Sequence, residues 1–174
     1  MVEKFLGNIV MKVYNFTNKT DTAMKVMIIM GSKTDESIMQ ECASWLGWFK
    51  IEHEMVVASA HRNPDKVRDL MVNAKANGFG AVVAAAGMAA ALPGVCAAYT
   101  SLPVLGVPLE GGLPGGIDAL YSIVQMPAGL PVGTLAVGKA GARNAAVLCA
   151  RMFALHDSEM AARLETFKQK EYKM

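Results

Sequence analysis

Short apolar runs alternate with amphipathic stretches along this chain, beginning at residue 24. Each run has the length of a β-strand and is bounded by glycine, proline or polar residues. The predicted strands are residues 24–30, 51–58, 81–86, 103–107 and 133–137. Because most of these runs are apolar at nearly every position, they predict a parallel sheet that is buried on both faces.

The segments between the strands carry apolar residues at helical spacing. After the first strand, Ile38, Cys42 and Leu46 recur on one helical face, and a second helix follows Pro64. Further helices are predicted over residues 95–99, 113–125, 143–155 and 157–174. Strands that alternate with helices predict a three-layer α/β sandwich, and right-handed crossovers favour the doubly wound, flavodoxin-like topology with a five-stranded parallel sheet.

The last predicted helix carries Met160, Leu164 and Phe167 on one stripe amid lysine and glutamate. An apolar stripe of this kind needs a neighbour, so we expect this C-terminal helix to pack on a neighbouring subunit. The composition, 53% hydrophobic and 18% charged, also favours a homo-oligomer in which subunits cover apolar surface.

The length of 174 residues fits one domain, over residues 24–174, preceded by an N-terminal extension over residues 1–23 without the later periodicity. With 17 basic and 15 acidic side chains, the formal net charge is +2. The sequence contains no run of like charge and no apolar stretch long enough to span a membrane. We therefore expect a small-molecule partner, with no nucleic acid and no membrane. Three widely spaced cysteines are typical of free thiols in a cytoplasmic protein.

Polar or glycine-rich turns follow four of the predicted strands. These turns are residues 31–35, 59–62, 87–88 and 110–116. In a doubly wound sheet, ligands bind beyond the carboxyl ends of the strands. The sequence therefore predicts that the four turns line one ligand cavity.

His61 is the candidate with the clearest chemical role. It stands between Ala60 and Arg62 where the second strand ends. An imidazole that titrates near neutrality can both deliver and remove a proton in one catalytic cycle. The alternative is a histidine that caps the strand end through a backbone hydrogen bond.

The neighbouring turns offer groups that bind anions and hydroxyls. Gly31, Ser32 and Thr34 lead into a helix whose free N–H groups favour a phosphate. Arg62 can bind a phosphate or carboxylate in bidentate fashion, or form a surface salt bridge. Asp35 suits two vicinal sugar hydroxyls, or it serves only the first turn of the helix.

Four ordered motifs resemble one known family. GSKTD follows the first strand, SAHRNPDK the second and AGMAAALPG the third, and YSIVQMPAGLPVGTLAVGKAGARNAA lies towards the end. Together they resemble the catalytic subunit of phosphoribosylaminoimidazole carboxylase. The forms SIVQMP and ALPG are similar to its bacterial members, the N5-carboxyaminoimidazole ribonucleotide mutases of purine biosynthesis. The resemblance covers residues 24–167.

The resemblance implies a rearrangement without metal or cofactor, which moves a carboxylate from the exocyclic amine to C4 of an aminoimidazole ribonucleotide. It implies that His61 is the proton carrier and that the site is shared between subunits of an octamer. The substrate-binding residues it implies are Gly31, Ser32, Asp35, Ser59, Ala60, Arg62, Ala86, Gly87, Ala91 and Leu92.

The chain departs from the family pattern in two of these loops. Met88 stands where the family usually has a second glycine, and Ala91 stands where it usually has a histidine. Glu110 brings a carboxylate to the rim in an unusual loop. One hypothesis is that Glu110 compensates for the lost imidazole, and the alternative is that it is solvated.

Three other functions stay open, and the departures at Ala91 and in the Glu110 loop favour the second of them. The first is a direct aminoimidazole ribonucleotide carboxylase that uses carbon dioxide. The second is a paralogous carboxylase that acts on another ribonucleotide. The third is a nucleotide-sensing or structural oligomer without activity, against which the retention of His61 beside Arg62 argues.

Overall fold

A computed structural model describes residues 24–174, so the predicted extension over residues 1–23 lies outside the described part. The strands are β1 (Lys25–Met30), β2 (Glu52–Val57), β3 (Phe79–Gly87), β4 (Val104–Leu109) and β5 (Gly133–Thr134). The helices are α1 (Glu36–Trp48), α2 (Pro64–Ala74), α3 (Leu92–Tyr99), α4 (Ile117–Val124), α5 (Gly138–Ala154) and α6 (Ser158–Gln169). Short 3-10 turns, Lys33–Asp35 and Pro114–Gly116, precede α1 and α4.

The five strands form one parallel sheet in the order β2-β1-β3-β4-β5. This is the flavodoxin-like order, in which the chain reverses direction across the sheet between β1 and β3. The predicted five-stranded, doubly wound sandwich is therefore confirmed.

Two apolar cores cover the sheet, one on each face. Alternate residues of β1 point to opposite faces, so Val26 and Ile28 join one core whereas Met27 and Ile29 join the other. The first core is completed by α1, α5 and α6, and the second by α2, α3 and α4. Burial on both faces explains why the central strands are continuously apolar in sequence.

Helix α6 buries its apolar stripe within its own chain. Met160 and Phe167 are 1% and 2% exposed. The Phe167 ring packs against Trp45, Trp48 and Phe49, with ring centroids 5.2–5.5 Å apart. Packing of this helix on a neighbouring subunit stays a prediction.

The two strands at the margins of the sheet are short or charged. Glu52 and Glu54 of β2 are exposed, and both carboxylates pair with the Lys25 ammonium of β1. On the opposite side, β5 has only two residues. Within residues 24–174, none of the helices has the length and apolar character that crossing a bilayer requires.

The boundaries around β5 differ from the sequence prediction. The strand ends at Thr134 rather than at residue 137, and α5 begins at Gly138 rather than at residue 143. A Cβ atom on Gly141 would lie 1.7 Å from the Ala136 carbonyl oxygen, so the helix starts in close contact with the preceding loop. The first turn of α5 consists of small residues and lysine, and it therefore carries no apolar stripe.

Candidate active site

A cavity of about 560 Å³ lies at the carboxyl edge of the sheet. The loops that follow β1, β2, β3 and β4 line it, as the four polar turns predicted. Its lining residues are Gly31, Ser32, Thr34, Asp35, Ser59, Ala60, His61, Arg62, Ala86, Gly87, Met88, Ala89, Ala90, Ala91, Leu92, Glu110 and Gly111. All eleven residues that the family resemblance implies for the site lie in this cavity.

Six lining residues are not among the eleven that the family resemblance implies. They are Thr34, Met88, Ala89, Ala90, Glu110 and Gly111. Thr34, Met88, Glu110 and Gly111 lie in the turns that were predicted to line the cavity, whereas Ala89 and Ala90 lie outside them. Small alanines carry no chemical signature of their own, so only the path of the loop after β3 brings them to the cavity.

The turn after β1 is held by hydrogen bonds among its own polar groups. Ser32 caps the Lys33–Asp35 turn, since its hydroxyl oxygen accepts from the Thr34 N–H at 3.3 Å. Asp35 completes the capping box by accepting from the Ser32 N–H at 3.1 Å. The Thr34 hydroxyl donates to the Ser32 hydroxyl oxygen at 2.8 Å. These contacts bring the two hydroxyls and one carboxylate together at the cavity wall.

Asp35 is the acid whose ionisation the cavity disturbs. Partial burial raises the pKa of Asp35 above its usual value of 3.8. The hydrogen bonds from Ser32 and Thr34 and the positive charge of Arg62 oppose that effect without cancelling it. The Asp35 carboxylate therefore lines the cavity, where partial burial disfavours its charged form.

The turn after β2 presents the imidazole and the guanidinium. His61 and Arg62 are both exposed and both line the cavity. The Arg62 N–H donates to the Ser59 hydroxyl oxygen at 3.3 Å, and its Nη2 donates to the Gly31 carbonyl oxygen at 3.2 Å. Arg62 therefore bridges the loops after β1 and β2. Among residues 24–174 it forms no salt bridge, which was the alternative considered for it.

The loop after β3 forms an apolar wall of small residues. A Cβ on Gly87 would lie 3.1 Å from the Leu109 carbonyl oxygen, so glycine lets the ends of β3 and β4 approach closely. Met88 has a φ of +56°, which is unusual for a side chain of its size. Ala91 occupies the position directly before α3 and lines the same wall.

The loop after β4 brings Glu110 to the rim and is fixed by Asp118. The Asp118 carboxylate accepts from the Leu113 N–H at 3.1 Å, and its other oxygen is buried without a hydrogen-bond partner among the described residues. A Cβ on Gly112 would lie 2.0 Å from the bonded carboxylate oxygen, so a larger residue there would displace the Asp118 side chain.

Two basic residues at the start of α5 serve the fold. From their charge alone, Lys139 and Arg143 are candidates either for binding an anion or for forming salt bridges. Both pair with Glu41 of α1, at 3.5 Å and 3.0 Å, and these contacts lower the pKa of Glu41. They do not line the cavity at the carboxyl edge.

The arrangement defines a flavodoxin-like α/β protein with a polar ligand cavity at the carboxyl edge of its sheet. A family model described as AIR carboxylase matches residues 25–174. The chain belongs to this AIR carboxylase family.

Similar proteins cover most of the chain. The N5-carboxyaminoimidazole ribonucleotide mutase of Escherichia coli (strain K12) is 50% identical over 145 residues, which are 83% of this chain and 86% of that protein. The protein of the same name from Vibrio vulnificus (strain CMCP6) is 49% identical over 148 residues, which are 85% of this chain and 92% of that protein. The crystal structure of Treponema denticola PurE superposes with a TM-score of 0.75 at 27% identity, and covers 84% of this chain and 90% of that chain.

Proposed function

We propose that this protein interconverts N5-carboxyaminoimidazole ribonucleotide and 4-carboxy-5-aminoimidazole ribonucleotide in de novo purine biosynthesis. The observation that carries the proposal is the convergence of His61 with the hydroxyl, carboxylate and guanidinium groups of two loops around one cavity. The identity of about half of the residues to proteins named as mutases supports the same reaction. The enzyme class is an isomerase that moves a carboxy group.

The reaction needs one group that first gives and then takes a proton. When the carbamate loses carbon dioxide, the N–C bond breaks and the departing nitrogen takes a proton from His61. C4 of the imidazole then attacks carbon dioxide, and the neutral His61 ring removes the proton that C4 carried. The proton balance closes over the cycle, so no other acid or base is required. The exposed position of His61 in the cavity supports this role.

The polar loops after β1 and β2 suit the ribose 5-phosphate part of the substrate. Ser32 and Arg62 supply a hydroxyl and a guanidinium for the phosphate, as charge-assisted hydrogen bonding favours. Asp35 suits the ribose hydroxyls as an acceptor. Gly31, Ser59 and Ala60 complete the wall on this side.

The apolar wall suits the base and the released carbon dioxide. Ala86, Gly87, Ala91 and Leu92 offer little side-chain bulk, so the imidazole ring can lie close to the backbone. Carbon dioxide held beside C4 would react as an intramolecular partner rather than from solution. The first turn of α3 begins at this wall.

One assay with two substrates tests the proposal. We expect the purified protein to form the carboxylated imidazole from the N-carboxylated ribonucleotide, followed by absorbance, and His61→Asn to lower the rate by at least about 100-fold. The proposed isomerase function would be wrong if product formed only from the unmodified ribonucleotide with carbon dioxide, which is the direct carboxylase. Inactivity on both substrates would favour a paralogue that acts on another ribonucleotide.

The assay also addresses the loop after β4. Glu110 lines the cavity, and this supports the hypothesis that its carboxylate compensates for the histidine absent at position 91. We expect Glu110→Gln to lower kcat/KM by about tenfold. An unchanged kcat/KM would mean that Glu110 is solvated and does not compensate for the missing histidine.

We also propose a cytoplasmic homo-oligomer, with an octamer as the expected size. Ile117, Tyr121 and Val124 leave an apolar face of α4 exposed, with exposed fractions of 38%, 61% and 49%. Cys42, Cys96 and Cys149 are buried free thiols, as a reducing compartment favours. A sedimentation mass eight times that of the 18.5 kDa chain would support the octamer.

A further inference from the structure

Met88 is held in a backbone conformation that its side chain disfavours. Its φ of +56° lies in the left-handed region, where glycine is the usual residue. Strain of this kind persists when the surroundings impose it, and it concentrates at functional sites. Met88 is 60% exposed in this chain, so burial in the core does not explain why a large side chain stands here.

The Met88 side chain lies over the loop after β4. Its Cγ would be 3.7 Å from a Cβ on Gly111 and 3.5 Å from a Cβ on Gly112. The Met88 side chain therefore lies against two residues that have no side chains of their own. Met88 thereby joins the loops after β3 and β4 across the apolar side of the cavity that both loops line.

The cavity wall that follows Met88 in the sequence is built from small residues. Ala89, Ala90 and Ala91 follow Met88 directly and line the cavity with single methyl groups. An unbranched thioether can adapt its shape to an irregular apolar space. A small apolar molecule such as carbon dioxide would fit beside these methyl groups, with the flexible Met88 side chain as a partial cover.

We propose that Met88 covers the base end of the cavity and determines how much of the released carbon dioxide is retained for recarboxylation. This inference rests on the proposed isomerase function. Met88 is a specificity-determining residue in this scheme, since it selects between two fates of one intermediate. In one fate C4 captures carbon dioxide, and in the other carbon dioxide escapes and free aminoimidazole ribonucleotide is left.

Removal of the side chain tests the inference. The substrate would carry ¹³C in its N-carboxylate, and the medium would contain excess unlabelled bicarbonate. We expect the natural protein to retain most of the label in the 4-carboxy product. Met88→Gly should raise the ratio of released ribonucleotide to carboxylated product on the order of tenfold, whereas Met88→Leu should restore label retention because it keeps the apolar bulk.

Lys50 offers a matched control for backbone strain. It also has a positive φ, of 59°, but it does not line the cavity. We expect Lys50→Gly and Met88→Gly each to raise the melting temperature by about 2–4 °C through relief of strain. Only Met88→Gly should change the partition between products.

The failures of the two proposals are distinguishable. If the natural protein makes no 4-carboxy product from the labelled substrate, the proposed isomerase function is wrong. If the natural protein is active and Met88→Gly retains label equally well, the function stands and the role of Met88 is wrong. A marked fall in the melting temperature of Met88→Gly would make Met88 a packing residue and would also overturn the inference.

Discussion

Asp35 illustrates how a single side chain serves both the fold and the ligand cavity. Its carboxylate completes the capping box with Ser32, yet partial burial raises its pKa. A raised carboxyl pKa means that the folded chain holds the proton more tightly than the unfolded chain. The stability contributed by this group is therefore fully present below its usual pKa of 3.8 and is lost as the pH rises through the raised value.

We expect Asp35→Asn to separate these two roles. The amide oxygen can still accept from the Ser32 N–H, while the charge that burial disfavours is removed. The free energy of unfolding of the ligand-free variant at pH 7 should equal or modestly exceed that of the natural protein, and the difference should vanish below pH about 4. Urea unfolding at both pH values measures this.

The same substitution should weaken binding of the ribonucleotide by about tenfold or more, because a charged acceptor for the ribose hydroxyls is lost. Calorimetric titration with aminoimidazole ribonucleotide measures the affinity. Equal affinity would remove Asp35 from the substrate site and leave it only its role in the capping box.

Sequence patterns located the polar side chains of the cavity better than its apolar ones. Ser32, His61 and Arg62 follow strand ends, and parallel topology brings such positions together. The position of Met88 over Gly111 and Gly112 could not be predicted, because it depends on a backbone dihedral and on contact between two loops.

Glycines in α1 and α5 meet different surroundings. A Cβ on Gly47 of α1 would meet no atom within 4 Å outside its own stretch of helix, among residues 24–174, whereas a Cβ on Gly141 of α5 would lie 1.7 Å from the Ala136 carbonyl oxygen. We expect Gly141→Ala to lower the free energy of unfolding by about 1–3 kcal/mol, because backbone must move. Gly47→Ala should raise it by about 0.5–1 kcal/mol through helix propensity.

Denaturant unfolding of the two variants checks this pair. The opposite signs are the critical result, since both changes add one methyl group to a helix. Equal effects would mean that the close contact between α5 and the loop before it does not constrain the chain.

The strands were predictable as elements because each is a compact apolar run with a polar turn after it. Helix α5 was harder, since its first residues, Gly138 to Gly141, carry no apolar side chain larger than alanine. The absence of bulky side chains lets this helix begin close to the preceding loop. It also removes the apolar pattern that would have marked the start of the helix in the sequence. Likewise, α4 begins only at Ile117, because Gly115 and Gly116 adopt positive φ and interrupt the predicted helix over residues 113–125.

For the assembled protein, the exposed face of α4 makes a prediction about subunit contact. Tyr121 is 61% exposed at the centre of that face. Tyr121→Glu would place a charge in an apolar contact, and desolvation of an unpaired carboxylate costs several kcal/mol. We expect this variant to sediment as a smaller species than the natural protein.

Val72 provides the control for Tyr121. It lies on a different helix, α2, with a similar exposed fraction of 58%. Val72→Glu should leave the sedimentation mass unchanged. If Tyr121→Glu also left it unchanged, α4 would not form the subunit contact.

The two edge strands of the sheet affect how readily the protein aggregates when it is concentrated or heated. An unpaired strand can template the addition of strands from other molecules, and repeated addition builds fibrils. On one side, β2 carries two exposed glutamates that share one lysine and so leave net negative charge facing an incoming strand, and on the other, β5 offers only two residues to pair with. A concentrated or partly heated solution of this protein should therefore resist amyloid growth from its native sheet, and dye-binding fibrils should arise only after global unfolding.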